Sequence, residues 1–120
     1  MFINHTNHPS AKWSKEQRAA AEAYGEIVDL PFPAIDATTT ISDIKALAQR
    51  TAQDITSQNP AAVLVQGEFT YTYQLVQELT QQNIITLAAT TERVVVDRTN
   101  PDGTAYKESY FNFVQFRPYD

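Results

Sequence analysis

The chain has 120 residues, no cysteine and a formal net charge of −5, which excludes disulfide frameworks, thiolate metal sites and cysteine nucleophiles and argues against broad binding to duplex nucleic acid. Hydrophobic content of 42% and charged content of 19% are those of an ordinary globular protein, and at this length a single domain spanning residues 1–120 is expected. No apolar run approaches the roughly 18 residues of a membrane helix and the N-terminus lacks a signal-peptide pattern, so the expectation is a cytoplasmic protein with no membrane partner.

In chain order, Met1-Phe2-Ile3-Asn4 reads as a first strand running into a polar loop, His5-Thr6-Asn7-His8-Pro9-Ser10, that holds both histidines. Ser14-Lys15-Glu16-Gln17 has the form of a capping box. It opens a helix through Ala19, Ala20, Ala21 and Ala23 that stops at Gly25. Trp13, just before the cap, is placed to staple onto the first turn. Glu26 to Leu30 is a second short strand, ended by Pro31-Phe32-Pro33 because proline withholds a ladder donor and restricts its predecessor. After a loop from Asp36 to Thr40, the residues Ile41, Ile44, Leu47, Ala48 and Ile55 keep helical spacing as far as Ser57.

Ala61-Ala62-Val63-Leu64-Val65 follows Asn59-Pro60 and precedes Gln66-Gly67. Such a continuous apolar run reads as a strand buried on both faces. Thr70 to Gln82 forms a third helix with Leu75, Val76 and Leu79 inward, and Ile84 to Ala88 a fourth strand. Beyond it, Glu92 to Arg98 alternates, Asn100-Pro101-Asp102-Gly103 turns, and Tyr106 to Phe116 is long and aromatic, which is a β-hairpin. By simple alternation Phe111, Phe113 and Gln115 share one face, and Tyr110, Asn112, Val114 and Phe116 the other. The fold class is therefore α/β: a small Rossmann-like, mostly parallel sheet flanked by three helices, with a C-terminal antiparallel hairpin.

The polar residues cluster at predicted strand ends, where open α/β sheets bind ligands. Gly67 sits at a strand-to-helix turn, where a glycine lets backbone approach a ligand and the helix N-terminus favours anions. Gln66 and Glu68 flank it; Glu68 also suits the role of complement to the helix dipole. His5 and His8 are candidates for acid/base work, or for strand-end hydrogen bonds to backbone. Asn4, Thr6, Asn7 and Ser10 add polar groups beside them. Thr90, Thr91 and Arg93 follow the fourth strand, with Arg93 a cation for a phosphate or for a surface ion pair with Glu92 or Asp97. Arg117 and Lys107 are secondary cations. Two histidines without a third obvious ligand predict no metal site. No G-x-G-x-x-G, P-loop, H-E-x-x-H or G-x-S-x-G pattern is present, against the common dinucleotide, NTPase, metalloprotease and hydrolase classes.

Four segments recur together in one order: Phe2-Ile3-Asn4-His5, Val63-Leu64-Val65-Gln66-Gly67-Glu68-Phe69, Ala89-Thr90-Thr91-Glu92-Arg93 and Phe113-Val114-Gln115-Phe116-Arg117-Pro118-Tyr119. In these the chain resembles the small stand-alone CRISPR-associated proteins of type III systems related to CARF (CRISPR-associated Rossmann fold) domains, implicated as ring nucleases. The resemblance implies a two-fold homodimer with cyclic tetra-adenylate across the axis, held by loops after strands one and four and by the glycine turn. It further implies metal-independent cleavage without a cofactor, in which a ribose 2′-hydroxyl attacks the adjacent phosphate. Under it His5 or His8 is the acid/base group and Arg93 balances charge. Asn4, Thr6, Asn7, Ser10, Gln66, Gly67, Glu68, Phe69, Thr90 and Thr91 then contact ligand. A binding module that holds the ring without cutting it is the alternative.

Overall fold

The computed structural model describes the whole chain, Met1–Asp120. Its elements are β1 (Phe2–Thr6), α1 (Lys15–Glu22), β2 (Ile27–Asp29), α2 (Ile41–Ser57), β3 (Ala62–Gln66), α3 (Phe69–Gln81), β4 (Thr86–Thr99) and β5 (Ala105–Pro118), with one short 3-10 turn at Ser10–Lys12. They form one five-stranded sheet in the order β2-β1-β3-β4-β5. The first four strands run parallel and β5 returns antiparallel to β4. The α/β class, the mostly parallel sheet, the three helices and the C-terminal hairpin are those read from the sequence.

Local chemistry sets the helix ends. Ser14 Oγ accepts a hydrogen bond from the Gln17 amide at 3.1 Å, as the capping box predicts. Thr40 caps α2 in the same way through the Asp43 amide at 3.2 Å. Gly25, at φ +134°, takes the backbone past the end of α1 in a conformation that L side chains avoid.

Strand parity divides the core in two. Ile3, Val63 and Val65 face one side, where α2 and α3 supply Ile44, Ala48, Ala52, Ile55, Leu75 and Leu79. Phe2, Ala62, Leu64 and Leu87 face the other, covered by Ala21 of α1, by Trp13 and by Phe116. The run Ala62 to Val65 is thus buried on both faces, as a central parallel strand must be. Phe2 organises the thinner layer: its ring lies 5.2 Å from Phe116, 5.8 Å from Tyr24 and 6.2 Å from Trp13, centroid to centroid.

Two strands differ from expectation. β1 continues to Thr6, so His5 belongs to the sheet and not to the loop after it. β4 does not stop at Ala88: it runs unbroken to Thr99 and is at once the fourth parallel strand and the first arm of the hairpin. Thr90 to Arg93 are strand residues accordingly. Fourteen residues at about 3.3 Å each make the whole strand about 46 Å long, so its outer part runs past the packed body. The overall extents of 57 × 37 × 24 Å and the radius of gyration of 17.4 Å reflect this projection, since a compact chain of this length is near 14 Å.

Phe2 is fully enclosed by groups from both ends of the chain. Phe2→Ala is expected to lower unfolding free energy by about 3–5 kcal/mol, as for other buried phenylalanines. Urea denaturation checks this: the midpoint should fall with an unchanged slope.

Candidate functional site

The parallel ladder between β3 and β4 is short. It pairs Val63 with Thr86 and Leu64 with Leu87, and then the strands part. The Gln66 side chain takes over from the backbone: its Oε1 accepts from the Ala89 amide at 2.8 Å and its Nε2 donates to the Ala89 carbonyl at 3.4 Å. Beyond this clasp a cleft of about 930 Å³ opens at the carboxyl ends of β1 and β3. Thr6, Asn7 and His8 line one part, with Lys12, Trp13, Ser14, Glu16 and Gln17 from the turn and first residues of α1 beside them. Gln66 and Gly67 form the middle, and Thr91, Glu92, Phe111, Asn112 and Phe113 form the hairpin wall. Its size falls at the upper end of small-ligand pockets.

The loop after β1 is held by a polar network. Asn4 Nδ2 donates to the His8 carbonyl at 2.9 Å and to Asp29 Oδ1 at 3.0 Å, while Asn4 Oδ1 accepts from the Thr6 hydroxyl at 2.8 Å. The His8 amide donates to Thr6 Oγ1 at 3.1 Å, and Trp13 Nε1 donates to the His8 carbonyl at 3.2 Å. The Ser10 amide donates to Asp29 Oδ2 at 3.1 Å, and the Arg18 guanidinium to the Ser10 carbonyl at 2.5 Å. Burial alone would raise the Asp29 carboxyl. The hydrogen bonds from Asn4 and Ser10, with the Arg18 charge, outweigh it and hold the group below the usual carboxylate range. Asn4 and Ser10 therefore brace the loop rather than line the cleft, and the loop presents Thr6, Asn7 and His8.

His5 is not in the cleft. It is buried on the α2/α3 side, with Nδ1 2.9 Å from the Leu30 carbonyl and Nε2 2.8 Å from the Tyr71 hydroxyl. A carbonyl only accepts, so Nδ1 carries the proton and Nε2 accepts from the Tyr71 O–H. Desolvation lowers the His5 pKa against the smaller opposing effect of the Leu30 hydrogen bond, and burial raises that of Tyr71. Both groups stay neutral and bonded. The Phe32 ring packs on both, at 5.2 Å from each. It also explains Gly67, because a Cβ there would meet Phe32 Cζ at 2.2 Å. The close neighbour for which Gly67 makes room is this ring.

The remaining candidates separate cleanly. Glu68 caps α3, accepting from the Thr70 and Tyr71 amides and from the Thr70 hydroxyl. Those hydrogen bonds, led by the Thr70 hydroxyl, hold its carboxyl below the usual range. The anion place at the start of α3 is thus filled by the protein's own carboxylate. Phe69 is 89% exposed and is not part of the cleft lining. The Thr90 hydroxyl donates to the Gln115 carbonyl at 3.0 Å. Arg93 is exposed and pairs with neither Glu92 nor Asp97; the ion pairs of this region are Arg98 with Glu108 and Lys107 with Asp97. It stands opposite Phe111 in the ladder, two rungs beyond Thr91 at the outer end of the cleft. Nowhere do three or more histidine, aspartate or glutamate side chains gather as a metal ion requires.

Thr6, Asn7, His8, Gln66, Gly67 and Thr91 are therefore brought together; Asn4 and Ser10 support them; His5, Glu68, Phe69 and Thr90 lie elsewhere. Sequence reasoning missed the contribution of Lys12, Trp13, Ser14, Glu16 and Gln17 and of Phe111 to Phe113. The first was legible in principle, since the helix after the first strand begins at the same sheet edge.

Fold and cleft define a Rossmann-like α/β protein with a small-ligand-sized cavity at the carboxyl edge of its parallel strands. Residues 1–117 match the Uncharacterized protein MJ1673 family, and the chain belongs to that family. No curated protein and no solved structure matches it.

The buried His5 makes stability pH-dependent. Unfolded, its imidazole titrates near 6.5; folded, it takes a proton only at lower pH. As pH falls below about 6.5 the unfolded state binds the proton first, so stability should decrease, by up to about 1.4 kcal/mol per pH unit for one such group. Denaturation midpoints at pH 7.5, 6.5 and 5.5 check this, and His5→Asn should flatten the dependence.

Proposed function

We propose that the cleft binds a cyclic oligoadenylate, cyclic tetra-adenylate above all, and that the protein is a ring nuclease that switches off type III CRISPR antiviral signalling in the cytoplasm. The observation that carries this reading is the convergence on one cleft of Thr6, Asn7, His8, Gln66, Gly67 and Thr91, which come from three separate segments of the chain. Phosphates and ribose hydroxyls are matched by the hydroxyl and carboxamide groups there. Lys12 in the lining and Arg93 at the outer end supply positive charge, against Glu16 and Glu92.

In the proposed reaction the ribose 2′-oxygen attacks the adjacent phosphorus and the bond from phosphorus to the 5′-oxygen breaks. The ring opens to a linear product with a 2′,3′-cyclic phosphate at one end and a 5′-hydroxyl at the other. No metal ion or cofactor takes part. Holding the 2′-oxygen in line contributes much of the rate. His8 is the one imidazole that borders the cleft, and imidazole transfers protons at neutral pH. It takes the 2′-proton or delivers one to the departing 5′-oxygen. Arg93 neutralises charge growing on the phosphate oxygens. Exposed aromatic residues outside the cleft, Phe69 and Tyr73 on α3 and Tyr110 on β5, give a homodimer apolar surface to bury.

One observation favours a second reading, a module that binds the ring without cutting it. With His5 committed to the core, only one histidine is left for proton transfer where the attacking and leaving oxygens each need a partner.

The test is incubation of the protein with cyclic tri-, tetra- and hexa-adenylate in EDTA, followed by chromatography. Linear products ending in a cyclic phosphate are expected. His8→Ala should slow cleavage by about 10²-fold or more, the usual contribution of a general acid or base. Arg93→Ala should weaken ring binding by about 10-fold, the size of a charge-assisted hydrogen bond. Intact rings that co-elute with the protein select the binding module; neither cleavage nor binding removes both readings.

A further inference from the structure

The hairpin carries an aromatic stripe that simple strand alternation conceals. Alternation puts Phe116 on the opposite face from Phe113 and Phe111. The ladder, however, pairs Thr90 with Gln115 and then Thr91 with Phe113, leaving Val114 as an extra residue in β5. Such a bulge reverses the parity of everything beyond it. Phe113 and Phe116 consequently meet, with centroids 4.9 Å apart and planes at 62°. Opposed residues share a face, so Thr91 with Phe113 and Arg93 with Phe111 continue the same side. The stripe starts in the core, where Phe116 packs on Phe2 at 5.2 Å. It passes the half-buried Phe113 and ends at Phe111, 69% exposed at the cleft wall.

We infer that Phe111, on the same face as Phe113, is a stacking platform for a flat heteroaromatic ring of the ligand, a nucleobase, and that it determines specificity for nucleobase-bearing ligands. This rests on the nucleotide reading of the cleft and adds to it the group that recognises the base. Phe111 lies in a cavity wall whose other side carries the hydroxyl and carboxamide groups of Thr6, Asn7 and Gln17, and such mixed walls enclose a ligand with an apolar ring and polar edges. Arg93 stands beside Phe111 on the same face, where a guanidinium reaches a phosphate attached to a stacked nucleoside. Stacking on an aromatic side chain is tolerant of which base it holds and strong enough to dominate binding.

The chain's single tryptophan, Trp13, lines the same cleft and reports occupancy by fluorescence. The experiment titrates wild type, Phe111→Ala, Phe111→Trp and Phe113→Ala with cyclic tetra-adenylate carrying one 2-aminopurine, whose emission is quenched on stacking. Trp13 emission is followed in parallel for the wild type and both alanine variants. Phe111→Ala should lose affinity about 10- to 100-fold, with 2-aminopurine quenching abolished and the melting temperature unchanged, since the ring is mostly in solvent. Phe111→Trp should retain binding and quenching. If the wild type binds and Phe111→Ala binds equally with the same quenching, the stacking assignment is overturned while the nucleotide reading stands. If the wild type binds no ring, both fall together.

Discussion

The molecule depends on the place where β3 and β4 stop being a backbone ladder. Past Leu64 and Leu87 two side chains replace the main-chain bonds: the Gln66 carboxamide grips both polar groups of Ala89, and the Tyr119 hydroxyl donates to the Val65 carbonyl at 2.6 Å. Buried backbone groups need partners, and these two side chains supply them while letting the strands diverge. Without the divergence β4 would lie flat beside β3 and no cleft would separate the glycine turn from the hairpin. The same divergence frees β4 to continue as a projecting arm. Sheet, cavity and hairpin are consequences of one exchange of backbone for side-chain hydrogen bonds.

Around that opening the two faces of the sheet have different tasks. The α2/α3 side is a conventional apolar core with one polar pair, His5 and Tyr71, satisfied within it and covered by Phe32. The α1 side is thin, centred on Phe2, and becomes the cleft where α1 begins. Rigidity there comes from the Asn4–Asp29 network, which ties the loop bearing His8 to two strands. A site built on so short a loop needs that bracing if its groups are to keep one geometry.

Much of this was legible in the sequence. The double-sided burial of Ala62 to Val65 follows from an unbroken apolar run, and the Ser14 cap from its spacing to Gln17. His5 was misplaced because a polar residue at a strand end reads as loop. Its partners, Leu30 and Tyr71, lie 25 and 66 residues away, and no local pattern announces them. Gly67 was recognised as a close-approach residue, but what approaches is Phe32, a neighbour only in three dimensions. Arg93 reads as following the fourth strand and opening the hairpin because a break is expected after Ala88; no break occurs, and the two segments are one strand. The Val114 bulge left no signal of its own, so the aromatic stripe was hidden by an alternation that holds on either side of it but not across it.

On the function proposed above, this cleft and no other surface receives a cyclic oligoadenylate. Amide chemical-shift mapping of the 15N-labelled protein titrated with cyclic tetra-adenylate tests it most directly. The largest shifts should fall at Thr6 to His8, Gln66 and Gly67, Thr91, and Phe111 to Phe113. Shifts confined to the groove between α2 and α3 around Gln53 and Gln82, or none at saturating ligand, would contradict it.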